Sequence, residues 1–330
     1  MHQVFSMKEL GNISYFLGIS IHGSPSSGYF LSQQKYAQDI LTKAGLSDCK
    51  PCSSPLAVKP TSQPHSTAPY SNPTLYRSLV GALQYLTITR PDLSLAVNQC
   101  CQHMHAPTNG HFSAVKRLLR FVKGTLHHGL QFSPSTFDVH AFSDSNWAGD
   151  VLDRKSTSGY CIFLGSNLIS WSAKKQATVS RSSTEAEYRA LAHTTAELTW
   201  ILMLLHDLDI PLPTLPILWC DNVSAIALAN NPVFHSRSKH IEVDCHFIRD
   251  KVLAKQLHLQ YIPTTDQLAD IFTKPLSVGR FSYLKSKLME FHHPISLSGP
   301  DKISPIPDNQ DSCSITPPAD AHTVSPPSVS

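Results

Sequence analysis

The chain has 330 residues, of which 41% are apolar and 15% charged, with a net charge of +3. That is enough apolar material for a sizeable core and for more than one domain, which excludes a wholly disordered chain, while the small positive excess calls for local basic patches before a nucleic-acid partner is inferred. No apolar run approaches the ~20 residues of a membrane span, and the Met1-His-Gln-Val-Phe5 start lacks the basic and apolar regions of a signal peptide, so no membrane and an intracellular setting are expected.

In chain order, residues 1–46 read as a compact α/β piece. The apolar run Tyr15 to Ile21 predicts one strand, Gly23 to Gly28 a turn, and Tyr29 to Ser32 its hairpin partner. Ser32 is placed to cap a helix over Gln33 to Ala44, stopped at Gly45. Residues 47–75 are rich in Pro, Ser and Thr and read as a linker; the pair Cys49 and Cys52 within it has the spacing of a zinc or redox half-motif, but no second pair accompanies it. The eight cysteines are irregularly spaced along a long chain, which points to reduced thiols and not to a disulfide framework.

Three helices follow, over Tyr76 to Thr87, Asp92 to Met104 and Gly110 to Thr125. In the third, Val115, Leu118, Leu119, Val122 and Leu126 recur at the spacing of one buried stripe. Lys116, Arg120 and Lys123 share another face, with Arg117 close by; the row suits phosphates, and it equally suits an ordinary solvated helix face.

Residues 138–280 read as strands from Val139, Gly159 and Leu168, the last two joined by a Gly165-Ser-Asn167 turn. A long helix from Ser183 to Leu208 comes next, then a strand at Ile217 to Cys220 and helices at Val223 to Ala229 and Ile241 to Ala254. A strand at Leu257 to Ile262 and a final helix starting near Thr264 complete the set. A mixed sheet flanked by helices is the natural packing, so the fold class is α/β. Residues 291–330 hold eight of the 24 prolines and only scattered apolar residues, which predicts disorder.

Four acids stand at strand ends or helix starts: Asp144, Glu187, Asp221 and Asp270. Brought together, they would repel unless cations neutralised them, and oxygen-only ligands select Mg²⁺ or Mn²⁺. Each also has a structural reading. Asp144 can initiate a turn, Asp221-Asn222 can cap a helix, and Asp270 can sit on a helix surface. Ser182-Ser-Thr-Glu185 and Thr184-Glu-Ala-Glu187 both fit a capping box, so Glu185 and Glu187 compete.

Several ordered blocks resemble the Ty1/copia class of long-terminal-repeat retrotransposon Pol polyproteins. They include Ser143-Asp-Ser-Asn-Trp-Ala-Gly-Asp150, Asp153-Arg-Lys-Ser-Thr-Ser-Gly-Tyr160, Ile169-Ser-Trp-Ser-Ala-Lys-Lys-Gln176, Ser182-Ser-Thr-Glu-Ala-Glu-Tyr-Arg-Ala190 and Trp219-Cys-Asp-Asn222. Further on come His235-Ser-Arg-Ser-Lys-His240, His246-Phe-Ile-Arg-Asp250 and Asp266-Gln-Leu-Ala-Asp-Ile-Phe-Thr-Lys-Pro275. The resemblance runs from residue 1 to about 298. It implies a partial reverse-transcriptase palm over 1–58, a linker over 59–75, a thumb- or connection-like helical region over 76–137, a ribonuclease H-like domain over 138–280, and a mostly disordered extension over 281–330.

In that family, Met7-Lys-Glu-Leu-Gly11 and Tyr15-Phe-Leu-Gly18 resemble the stretch just after the polymerase aspartates. The chain is therefore expected to lack polymerase activity by itself. Tyr76 to Leu86 and Thr89-Arg-Pro-Asp92 resemble the part that holds the duplex, which adds a nucleic-acid role to Lys116, Arg120 and Lys123.

For ribonuclease H, the resemblance implies Asp144, Glu187, Asp221 and Asp270 as the catalytic, metal-holding set, with two Mg²⁺ or Mn²⁺ ions and cleavage of the RNA strand of an RNA–DNA hybrid. Glu187 is chosen over Glu185 because Ala190 follows it at the family's distance. Asn146 stands where many such elements carry Asp, and no metal role is assigned to it. Cellular ribonucleases H often place a His before the last Asp; Tyr261-Ile-Pro-Thr-Thr-Asp266 holds none, so no histidine is assigned to proton handling or product release. Implied partners are the RNA–DNA hybrid and the remaining reverse transcriptase and integrase parts of the polyprotein. The implied location is intracellular, in a cytoplasmic virus-like particle or the nucleus. Two other readings stay open: a non-catalytic remnant that at most binds nucleic acid, and an integrase-type enzyme on a similar sheet, whose acidic arrangement the Thr184 to Ala190 block does not fit.

Overall fold

A computed structural model describes residues 13–58, 67–230 and 242–291. The expectations for Met7 to Gly11, for His235 to His240 and for the tail beyond 291 lie outside the described residues. Everything described here belongs to one compact unit, Met1–His293.

Two five-stranded sheets organise it. The first has the order β1-β2-β3-β4-β10, from Tyr15–Phe16, Ile19–Ser24, Gly28–Ser32, His128–Phe132 and Glu290–Phe291, and every pairing in it is antiparallel. The run from Tyr15 to Ile21, expected as one strand, folds back on itself instead. Phe16 pairs with Ile19, and the loop residues Leu17 and Gly18 both take positive φ, at 47° and 74°. That is the backbone of a tight two-residue hairpin, and Gly18 makes it accessible. Strand β4 carries no sequence signal of its own: its short run His-Gly-Leu-Gln-Phe has no clear alternation, and only its place between β3 and β10 fixes it as a strand.

Helices α1 (Gln34–Lys43), α2 (Pro73–Leu86), α3 (Ser94–Cys101) and α4 (Asn109–Lys123) pack beside this sheet. Helix α1 starts without a side-chain cap, so Ser32 stays in β3 and does not serve as the expected cap. Helix α2 begins inside the stretch read as a linker, capped by Asn72 with Pro73 as its first residue. In α4, Val115, Leu118, Leu119 and Val122 are fully buried, as their spacing predicts. Arg90 is buried too, paired with Asp92 at 2.8 Å and bonded to the carbonyl and hydroxyl of Thr125, so it ties α3 to the end of α4. Cys49 and Cys52 are free thiols, and Cys52 donates to the carbonyl of Arg117.

The second sheet has the order β7-β6-β5-β8-β9, from Asn167–Lys175, Thr157–Leu164, Val139–Asn146, Ile217–Cys220 and His258–Tyr261. The first three strands are antiparallel, and β8 and β9 run parallel to β5. This is the mixed sheet flanked by helices that the element order predicts. Helices α5 (Ser183–Asp207), α6 (Val223–Asn230) and α7 (Glu242–Leu253) cover one face, around Val139, Ala141, Ile162, Tyr188 and Leu218. Alternation sends Cys161 and Phe163 to the opposite face, where they join the core built by α2, α3 and α4.

The final helix is displaced from its expected start near Thr264. Residues Thr264–Asp266 and Leu268–Phe272 form two short 3-10 turns, and α8 spans Val278–Leu288, beyond Pro275. Helix α8 straddles residue 280, and Phe281, Leu284 and Leu288 are buried, so ordered structure runs past the start of the expected extension.

Candidate metal centre

The parallel pairing of β5 with β8 sets the site. His140 is opposite Ile217 and Phe142 opposite Trp219, so the same register carried two residues further brings Asp144 beside Asp221. Both strands end at the same edge, which is where open sheets of this kind collect functional side chains. Asp144 lies within β5, paired with Gly159 of β6, and is not a turn initiator. Asn222, and not Asp221, caps α6, accepting the N–H of Ala225 at 2.9 Å. Asp221 is left half-buried, accepting a hydrogen bond from the Thr264 hydroxyl at 2.9 Å.

Helix α5 separates its two glutamates by role. Ser182 accepts the N–H of Glu185, while the Glu185 carboxylate accepts the N–H of Arg181 and pairs with Arg189 at 3.0 Å. Glu185 therefore secures the helix start. Glu187, 6% exposed, reaches the end of β5, where one oxygen accepts the N–H of Ser145 at 3.2 Å. Its other oxygen is buried and meets no hydrogen-bond donor of the protein.

The turn from Leu268 to Phe272 brings in Asp270. Gln267, wholly buried, donates to the carbonyl of Ser143 at 3.0 Å and accepts the N–H of Ala269, which docks the turn on β5. Thr273 then donates its hydroxyl to Asp144. Lys274 lies 2.8 Å from Asp270 and 3.4 Å from Asp144, and Arg280 of α8 holds the other oxygen of Asp270 at 3.3 Å. Gly159 makes this approach possible: a Cβ there would sit 2.6 Å from Phe272 and 2.7 Å from Thr273.

The four predicted acids are thus neighbours: Asp144 feels Asp270 and Asp221, Glu187 feels Asp144 and Asp221, and Glu187 and Asp221 come within ligand reach of each other. Sequence reasoning missed Gln267, Thr273 and Lys274, although they lie in the quoted 266–275 block. It also missed Gly159, whose role depends on what packs against it.

The electrostatics reflect crowding. Burial pushes the Asp144 carboxyl up to about 6, with Asp270 and Asp221 adding to the rise and Lys274 and the Thr273 hydroxyl opposing it. Burial, together with Asp144 and Asp221, holds Glu187 well above the ordinary range. For Lys274, burial works against the charge, but Asp144 and Asp270 overcome it and raise the pKa. Glu187, Cys220 and Asp221 each offer a ligand atom within 4.8 Å of the others. Burial raises the Cys220 thiol strongly, and its sulfur accepts the N–H of Asn222 at 3.4 Å, which leaves the two carboxylates as the charged donors of this trio. An excess of buried carboxylate with a bare Glu187 oxygen fits hard divalent cations, which would supply the missing positive charge.

The basic row of α4 is divided. Lys116 and Arg120 are exposed and Lys123 is half-buried. The Arg120 side chain donates to the carbonyl of Lys50 at 2.7 Å, and Lys116 lies over the Phe112 ring. Arg117 bonds Ser54. This face therefore also fastens residues 50–56 to the helix.

Residues 1–58 match the family model described as reverse transcriptase (RNA-dependent DNA polymerase). The chain is 48% identical over 300 residues to the retrovirus-related Pol polyprotein from transposon RE2 of Arabidopsis thaliana, covering 91% of this chain and 20% of that one. It is 60% identical over 201 residues to the uncharacterized mitochondrial protein AtMg00810 of the same plant, covering 61% of this chain and 83% of that one. Among solved structures, LC11-RNase H1 in complex with RNA/DNA hybrid aligns at 15% identity with a TM-score of 0.32, covering 41% of this chain and 94% of that one. The chain spans about a fifth of the length of the curated Pol polyproteins it matches.

Proposed function

Since the chain belongs to the retrovirus-related Pol polyproteins of copia-type transposons, we propose that its second sheet carries a ribonuclease H that hydrolyses the RNA strand of an RNA–DNA hybrid. The carrying observation is the convergence of Asp144, Glu187, Asp221 and Asp270, with one buried Glu187 oxygen unpartnered. These four residues would hold two Mg²⁺ or Mn²⁺ ions. Bound there, such ions supply an activated water and neutralise the departing oxygen.

The chain's own residues do the rest. The Ser145 N–H and the Thr273 hydroxyl fix the Glu187 and Asp144 carboxylates, and Gln267 anchors the turn that presents Asp270. The 2′-hydroxyl distinguishes the RNA strand. Lys116, Arg120 and Lys123 are the candidates for backbone contact with the hybrid, and the remaining reverse transcriptase and integrase parts are the expected protein partners. Among the described residues no helix is long and apolar enough to cross a membrane.

Incubating a labelled hybrid with the full chain and Mg²⁺ tests the reading. The wild type is expected to cut the RNA strand and Asp144→Asn to leave it intact; equal cutting by both removes the assignment. A second reading, a non-catalytic nucleic-acid binder, draws on the exposed Lys116 and Arg120. It predicts hybrid binding with a steep salt dependence and no cleavage.

A further inference from the structure

Positive charge is distributed unequally over the four acids. Asp144 and Asp270 face each other across the Lys274 ammonium, at 3.4 and 2.8 Å, and Arg280 takes the second oxygen of Asp270 at 3.3 Å. On the other side, Glu187 receives a single backbone N–H and keeps one buried oxygen bare, and Asp221 receives a hydroxyl; Asp270 Oδ1 has no aligned hydrogen bond either, but the Lys274 ammonium lies 2.8 Å from it. No side-chain ion pair to Glu187 or Asp221 occurs among the described residues.

A divalent cation bound to carboxylate oxygens sits ~2.0–2.6 Å from them. An ammonium already touching the same oxygens would then lie within a few ångströms of a double positive charge, in a half-buried place where screening is weak. Sharing the oxygens would set the two cations in strong repulsion. We infer that Lys274 is an internal counter-ion occupying the cation position between Asp144 and Asp270, so that a divalent ion enters there only by displacing its ammonium. The inference rests on the reading of the cluster as a divalent-cation site. The cluster then has an open side, at Glu187 and Asp221, and an occupied side. The Lys274 side chain is 33% exposed, so water is at hand to receive the ammonium once it leaves the aspartates.

The experiment is a titration of metal-free full chain with Mn²⁺, reading free Mn²⁺ by electron paramagnetic resonance. Wild type is compared with Lys274→Met, Lys274→Gln and Lys274→Arg, each checked for native circular dichroism. Gln serves if Met fails to fold, because its amide can still donate to both aspartates. The neutral variants are expected to bind the second Mn²⁺ roughly tenfold or more tightly than wild type, with Arg near wild type, since removing a charge at contact distance removes a strong competitor. Equal Mn²⁺ counts and affinities in all proteins overturn the counter-ion role while leaving the metal site standing. Weaker binding in the neutral variants also overturns it, making Lys274 a positioning residue. No Mn²⁺ bound by any of them removes both this inference and the two-metal reading beneath it.

Discussion

The two five-stranded sheets are alike in size and opposite in what they gather at their ends. In the first, every neighbour runs antiparallel, so adjacent strands deliver their C-terminal ends to opposite edges, and strands β1 to β4 contain no acidic residue. In the second, β5 and β8 run parallel, so Asp144 and Asp221 arrive at one edge side by side. Strand direction, more than local sequence, sets Asp144 and Asp221 side by side, and α5 and the Leu268–Phe272 turn bring Glu187 and Asp270 to them. The first sheet and its helices contribute a core that continues into the second sheet's outer face.

The contrast between Glu187 and Glu185 gives the largest expected effect. Glu187→Gln should lower hybrid cleavage about a thousandfold, because a ligand to catalytic cations is worth several kcal/mol of barrier. Glu185→Gln should keep cleavage and lower stability by about 1 kcal/mol, since its carboxylate serves Arg181 and Arg189. Equal losses of cleavage would show that the two glutamates do not divide the roles this way.

Next comes Leu118→Ala in α4, expected to cost ~2–5 kcal/mol. All four tryptophans lie from residue 147 onward, so their fluorescence reports on the second-sheet region. Because Leu118 shares a core with Cys161, Phe163 and Phe272, the tryptophan transition should move with the mutation. An unmoved transition would separate the two sheets energetically.

Gly159→Ala should cost ~1–3 kcal/mol as the turn at Phe272 and Thr273 is pushed away. Cleavage should fall further than stability alone explains, because that turn carries Asp270 and the Thr273 hydroxyl. A variant with normal cleavage would contradict the docking argument.

The most gradual effect is a pH dependence in chelator. Asp144 titrates near 6 when folded, against about 3.9 for an unfolded aspartate. The folded state then binds more protons between those values, so this contribution to stability is present below the unfolded pKa and is lost as pH rises through about 6. Glu187, shifted in the same direction, extends the loss to higher pH. Thermal unfolding in chelator should show the decline, and Mg²⁺ should flatten it; a profile rising over that range would break the account.

Much of this was readable in the sequence because it is local. The α4 stripe, the turn at Gly165, the Ser182 cap and the strand stopping just before Asp221 follow from periodicity and capping, whereas β5, expected to end at Asp144, runs on to Asn146. What escaped depends on distant partners. Thr273 and Lys274 meet Asp144 across more than 120 residues. Gly159 matters only because Phe272 lies against it, and β4 is a strand only because β3 and β10 flank it. The 264–272 stretch has helix-like residues, yet Gln267 is drawn out of a continuous helix by its bond to β5.

The most direct test is anomalous diffraction from crystals of the chain soaked in Mn²⁺. The account predicts two peaks within coordinating distance of the Asp144, Glu187, Asp221 and Asp270 oxygens, with the Lys274 ammonium moved off Asp144. Full Mn²⁺ exposure with no peak among those oxygens would contradict it.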